Sequence, residues 1–170
     1  DVQERLFAVM DPEHREEVAK NIKILAATAQ RLGLPLLVSE QYPKGLGHTL
    51  PELGQALGPV APIEKVTFSC CGTDGFWERL RTTGARQVVL TGIEAHVCVL
   101  LTALDLLKAG YAVHVVADAV CSRTRENWRI GLDQLRQAGA VVTSTETVLF
   151  QLLRTADSEE FRTLQKLIKS

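Results

Sequence analysis

Missing from this sequence is any long apolar run. The longest, Val97–Leu101, is interrupted by Thr102 and ended by Asp105, far short of the roughly 18 residues a membrane-crossing helix needs. There is no excess of either charge: 19 Lys and Arg against 20 Asp and Glu leave a net charge of −1, so neither nucleic acid nor a membrane is a default partner. Cysteine is sparse. Cys70, Cys71, Cys98 and Cys121 lack the density of a disulfide scaffold and the paired CxxC spacing of a zinc site, which favours a reducing, cytoplasmic setting. No internal repeat, low-complexity stretch or signal-peptide pattern is present, and the chain opens at Asp1 rather than Met.

What is there is an ordinary globular balance, 46% hydrophobic and 23% charged, which excludes disorder. At roughly 150 residues per domain, 170 residues make one domain over 1–170. Such a chain buries about 70% of its unfolded surface and needs no staples.

Periodicity predicts a helix over Glu13–Leu32, where Val18, Ile22, Leu25, Ala29 and Leu32 share one face, with Gly33 ending it. Leu34–Ser39 reads as a buried strand. Gln41–Pro62, with four Pro and four Gly, reads as a long loop with a helical turn near Pro51–Ala56, and such loops are often functional. Further helices are expected over Asp74–Thr83, Ala95–Ala109, Arg125–Ala138 and Ser158–Ile168. Strands are expected at Gln87–Thr91, Tyr111–Ala117 and Ala140–Thr143. Thr143 and Glu146 match a capping box that opens a helix to about Leu153. Strand alternating with helix implies an α/β, doubly wound, Rossmann-like parallel sheet with helices on both faces. The helix around Val97–Leu107 is apolar nearly all round, which predicts a homo-oligomer.

In such sheets ligands bind beyond the carboxyl ends of the strands. After Gln87–Thr91 comes Gly92-Ile93-Glu94-Ala95-His96-Val97-Cys98, placing Cys98 in a helix's first turn. The amides and dipole there lower a thiol's pKa and can hold an oxyanion; equally, Cys98 is a small buried hydrophobe. Lys65 follows Val60–Ile63 and Asp1 heads Asp1-Val2-Gln3; by spacing alone these are as readily a surface lysine and a solvated carboxylate. Asp118 is a loop cap or an arginine partner. Cys70 and Cys71 are packing residues or a redox pair, and His48 and His96 have no partner at metal-ligand spacing.

Taken together, Asp1-Val2-Gln3, Ser39-Glu40-Gln41-Tyr42-Pro43, Lys65-Val66-Thr67-Phe68-Ser69, Gly92–Val99 and Asp118–Arg123 resemble the isochorismatase-like cysteine hydrolases, in particular the isochorismatase domain-containing branch. The resemblance implies a sheet of about six strands, with the first just upstream of Asp1. It implies a catalytic triad of Asp1, Lys65 and Cys98, a cis peptide at Ile93–Glu94, and an oxyanion hole from the backbone N–H groups of Glu94 and Cys98. It implies a hydrolase that needs no cofactor and cleaves a small amide through a thioester on Cys98. Isochorismatase-type vinyl-ether hydrolysis, or a non-catalytic binding protein of the same fold, is the alternative. Where metal-dependent relatives carry Asp-x-His, this chain reads Glu40-Gln41-Tyr42, so no catalytic metal is expected. Gln3, Phe7, Gln41 and Tyr42 are the expected substrate-pocket residues, with His48 at the rim.

Overall fold

The computed structural model describes residues 1–169. In chain order the elements are α1 (Glu4–Ala8), α2 (Arg15–Arg31), β1 (Ser39–Gln41), α3 (Pro43–Leu46), α4 (Pro51–Leu57), β2 (Ile63–Lys65), α5 (Asp74–Thr82) and β3 (Gln87–Ile93). They continue as α6 (Leu100–Lys108), β4 (Ala112–Cys121), α7 (Arg125–Gln137), β5 (Val141–Thr143), α8 (Thr145–Leu153) and α9 (Glu159–Lys169). A 3-10 turn at Cys70–Gly72 precedes α5, and a π-type turn at Ala95–Val99 leads into α6.

All strand pairs are parallel. β1 pairs with β2 in one sheet, and β3, β4 and β5 lie side by side in another. β4 shows why both faces carry helices. Val113, Val115 and Val120 pack into a layer with Leu100, Ala103 and Leu106 of α6 and Leu132 and Leu135 of α7. Val116, Ala119 and Cys121 pack into the opposite layer with Val18 and Ile22 of α2 and Val148 of α8. A strand buried on both faces has no polar side to alternate with, hence its nearly continuous apolar sequence.

The doubly wound α/β architecture is as expected. Among the described residues it has five strands, and they form two sheets rather than one. β1 and β3 do not pair; Val38, Val88, Leu90, Ile22 and Leu25 are among the residues lining a cavity of about 480 Å³. Leu34–Val38 form no strand: their backbone meets β2 only where Val38 O accepts from Ile63 N at 2.8 Å. The capping box is displaced by one residue: Ser144, not Thr143, caps α8, its Oγ accepting from Thr147 N at 3.2 Å. The long loop holds α3 and α4, and the short strand β2 follows directly on it.

α7 approaches the π-type turn closely enough to dictate a glycine. A Cβ on Gly131 would lie 3.0 Å from both the N and the Cα of His96 and 3.1 Å from the Ala95 carbonyl carbon. The helix therefore rests directly on the backbone that carries Cys98.

Candidate active site

The register of β1 on β2 makes Gln41 and Lys65 neighbours. Residues paired across adjacent parallel strands present their side chains to the same face, and Lys65 Nζ donates to Gln41 Oε1 at 2.7 Å. The ammonium also reaches Thr67 O at 3.1 Å and Phe68 O at 2.9 Å, where the chain curls back after β2. Its fourth neighbour is Asp1 Oδ2 at 2.8 Å, and both side chains of this ion pair are almost completely withdrawn from solvent. Burying a charge costs several kcal/mol unless it is paired and its remaining hydrogen-bonding capacity is met. Four acceptors around three ammonium protons meet that condition.

Asp1 is held at its other oxygen by the Ser39 hydroxyl, which donates to Oδ1 at 2.6 Å. Ser39 Oγ in turn accepts from the Cys70 thiol at 3.5 Å. Asp1, Ser39, Cys70 and Cys98 all line the same cavity, and most of its other lining residues are aliphatic.

Cys98 sits in the π-type turn, and its thiol is half-buried. Burial pushes the thiol above its ordinary range, while the Lys65 ammonium pulls the other way without prevailing. This corrects the expectation of a depressed thiol: desolvation of the charged form outweighs the helix-start amides and the cation. Cys98 makes no direct hydrogen bond to Asp1 or Lys65 among the described residues. It is within electrostatic reach of Lys65 and faces the cavity Asp1 faces.

The turn carrying Cys98 is tied to the end of β4 at two points. Glu94 accepts from Arg123 Nε at 3.0 Å and from Arg123 N at 3.3 Å, and a hydrogen bond of 2.9 Å joins His96 Nδ1 and Ser122 Oγ. The Ile93–Glu94 peptide is cis, as the sequence resemblance implied.

The other pocket candidates divide. Gln3 is completely buried, and its amide is consumed by Gln41 N and O and by Gly47 O at 2.7 to 2.9 Å. Phe7 lies in the α2 layer beneath the Arg15 guanidinium. Both are structural, which corrects their expected pocket role. Gln41 is buried as a strut for Lys65. Tyr42, in a left-handed conformation at φ 35, is exposed beside the site, as are Val66 and Phe68. His48 is bound by Glu40, whose carboxylate also takes the N–H and hydroxyl of Thr49. Asp118 caps α8 as a structural group, accepting from Thr145 N and Oγ1.

Sequence reasoning assigned no role to Ser39 or to the carbonyls of Thr67 and Phe68. Ser39 stands at a strand end, which is the signal that could have found it; carbonyl direction leaves no trace in residue type. One cluster with metal-ligand chemistry occurs among the described residues, Asp11, Glu13 and His14. There the Asp11 carboxylate is engaged by Glu13 N and His14 Nδ1, an ordinary turn ahead of α2.

Comparison with known proteins shows the family and the fold. The isochorismatase domain model matches residues 1–147. Isochorismatase domain-containing protein 2 of Danio rerio is 43% identical over 152 residues, spanning 89% of this chain and 76% of the relative. Isochorismatase domain-containing protein 1 of Salmo salar is 40% identical over 142 residues, 84% of this chain but only 50% of the relative's length. Among solved structures, that of the MAR1 ribonuclease of Caenorhabditis elegans superposes with a TM-score of 0.93 at 38% identity, over all of this chain and 86% of the other.

Proposed function

The chain belongs to the isochorismatase family and has its hydrolase fold, and from that premise we propose that it is a cysteine-dependent hydrolase of a small amide, acting through Asp1, Lys65 and Cys98. The observation that carries the reading is the solvent-free Asp1–Lys65 pair on the same cavity wall as Cys98. A buried carboxylate and cation beside a nucleophile is an arrangement that perturbs and exploits proton affinity.

Because burial holds the Cys98 thiol protonated, the base has to act during the attack rather than before it. Asp1 takes the S–H proton as the sulfur bonds to the amide carbonyl carbon. The Lys65 ammonium stabilises the sulfur as charge develops on it. The carbonyl oxygen becomes an oxyanion, received by the backbone N–H groups of Glu94 and Cys98; each such donor is worth about 3–4 kcal/mol of barrier. Asp1 returns the proton to the leaving nitrogen as the C–N bond breaks, leaving a thioester. Water then adds to the thioester with Asp1 again as base, releasing the acid and restoring the thiol.

Arg123 and Ser122 would keep the Glu94–Cys98 turn in place through their contacts with Glu94 and His96. Tyr42, Val66 and Phe68 would form the rim that a substrate crosses. We take the substrate to be a small molecule rather than a nucleic acid, given a net charge of −1. The four free thiols fit a reducing, cytoplasmic setting. Leu101 and Leu104 are exposed on α6, where a second copy would cover them in a homo-oligomer.

The test is release of amine or ammonia from a panel of small primary and N-substituted amides. At least one member should be turned over by the wild type and by neither Cys98→Ala nor Asp1→Asn. Turnover undiminished in Cys98→Ala would overturn the covalent scheme.

A further inference from the structure

The Asp1 carboxylate is gripped at both oxygens, and only one grip comes from the proposed triad. Oδ2 faces the Lys65 ammonium at 2.8 Å. Oδ1 accepts the Ser39 hydroxyl at 2.6 Å, in the short range of a charge-assisted O–H···O⁻ bond. A hydroxyl has one proton and two lone pairs, and a lone pair of Ser39 accepts from the Cys70 thiol at 3.5 Å. Neither partner is adrift. Ser39 is the first residue of β1. Cys70 belongs to the 3-10 turn, and its N–H donates to the Thr102 hydroxyl of α6 at 3.0 Å. The same turn is also fixed to α6 through Ser69 Oγ and Asp105 Oδ2 at 2.6 Å. The titratable groups around residue 1 are Lys65 of β2, Cys70, Cys98 of the π-type turn and Glu40 of β1.

Lys65 donates to Gln41, Thr67 and Phe68 and faces Asp1 Oδ2 at 2.8 Å as a charge, Oδ2 itself accepting no hydrogen bond among the described residues. A proton on Oδ2 would sit against that ammonium, so a proton arriving at Asp1 is favoured on Oδ1. That is the oxygen Ser39 donates to. Where that proton points at Ser39 two donors would face each other, so the Ser39 O–H turns away, and the group within reach is the Cys70 sulfur, a weak acceptor as well as a weak donor, whose own S–H turns aside in the same step.

We propose that Ser39 is a positioning residue for Asp1, a hydroxyl rotor that donates to Oδ1 while the carboxylate is ionised and swings to the Cys70 sulfur once Asp1 holds a proton. No proton leaves Ser39; only the direction of its O–H bond changes. The proposal rests on the Asp1–Lys65–Cys98 reading for its purpose, since it explains how one carboxylate can be both a stable anion and a proton carrier. The hydrogen bonds it invokes do not depend on that reading.

The experiment is carboxyl NMR of the full chain with ¹³C-labelled aspartate, following Asp1 against pH in wild type, Ser39→Ala and Ser39→Thr. Loss of a donor to the charged form favours the neutral one, so Asp1 in Ser39→Ala is expected to titrate about one pH unit higher than in wild type. Ser39→Thr, which keeps the hydroxyl, is expected to restore the wild-type midpoint. If Ser39→Ala does not fold, Ser39→Cys gives the same reading, because a thiol is a weak donor. On an amide that is turned over, Ser39→Ala is expected to lower kcat about tenfold and leave KM within about twofold, since Ser39 acts through Asp1. An Asp1 midpoint that does not move in Ser39→Ala overturns the proposal, even if turnover persists. A shifted midpoint in a protein that hydrolyses no amide supports the Ser39 role and counts against the hydrolase reading alone.

Discussion

Lys65 Nζ lies 2.8 Å from Asp1 Oδ2, and neither side chain reaches solvent. Breaking a buried pair by removing one partner leaves an uncompensated charge and typically costs about 3–5 kcal/mol. Lys65→Met is expected to lose stability on that scale in denaturant titration, along with activity. Asp1→Asn/Lys65→Met should recover part of the lost stability and none of the activity. A Lys65→Met protein as stable as wild type would show that the pair is not desolvated as described.

Gly131 lies against the backbone of Ala95 and His96. In Gly131→Ala the new methyl meets backbone, which cannot rotate away, so α7 or the Cys98 turn has to move. The expected cost is about 1–3 kcal/mol, with loss of turnover larger than that of Gly131→Ala-like changes at Gly75, where a Cβ meets nothing within 4 Å. Parallel melting and rate measurements on Gly131→Ala and Gly75→Ala check this.

The thiols make stability fall at high pH. Burial raises Cys98 and Cys121 and pushes Cys71 up to about 12. As pH climbs past the ordinary thiol value of about 8.5, the unfolded chain sheds protons that the folded chain keeps, so the unfolded state gains. Melting temperature is expected to drop between pH 8 and 10, and to drop less in Cys71→Ala. Alkylation of Cys98 by iodoacetamide at pH 7 is expected to be slower than that of a free thiol and to rise with pH.

His48 is exposed but hydrogen-bonded at 3.1 Å to the buried Glu40 carboxylate, which raises its pKa above 6.5. On Glu40, burial pushes upward, but the bonds from Thr49 and His48 outweigh it and hold the group below its usual value. The pair therefore supports the Tyr42–Leu50 segment fully between the ordinary carboxylate value of 4.5 and pH 6.5; the Glu40 share is lost as pH falls below that window, and the His48 share fades as pH rises through its raised value. Proton NMR of the His48 ring should give a midpoint above 6.5 in wild type and a lower one in Glu40→Gln.

Much of this was legible in the sequence, and unevenly. Helical periodicity located α2, α5 and α7 to within two residues, because one-sided burial repeats with the helix turn. β3 and the doubly buried β4 stood out as apolar runs, though β4 continues four residues past its expected end to Cys121. Leu34–Val38 misled: its residues suit a strand, but a strand also needs a partner backbone, which composition does not record. The site was readable only as five short motifs in one order. Spacing alone left Lys65 and Asp1 as surface groups, because nothing in residues 1 and 65 says that the segment ahead of α1 lies against β1 and β2. Gln3 and Phe7 were misplaced for a related reason. Proximity in sequence to Asp1 suggested the pocket, whereas α1 turns both toward the interior.

The most direct measurement is mass spectrometry of the protein quenched in acid during turnover of an amide it hydrolyses. The account expects an increment equal to the acyl group, confined to the peptide containing Cys98, absent in Cys98→Ala and lost on treatment with hydroxylamine. Turnover with no acyl increment on Cys98, and a Cys98→Ala variant that still converts substrate, would contradict it.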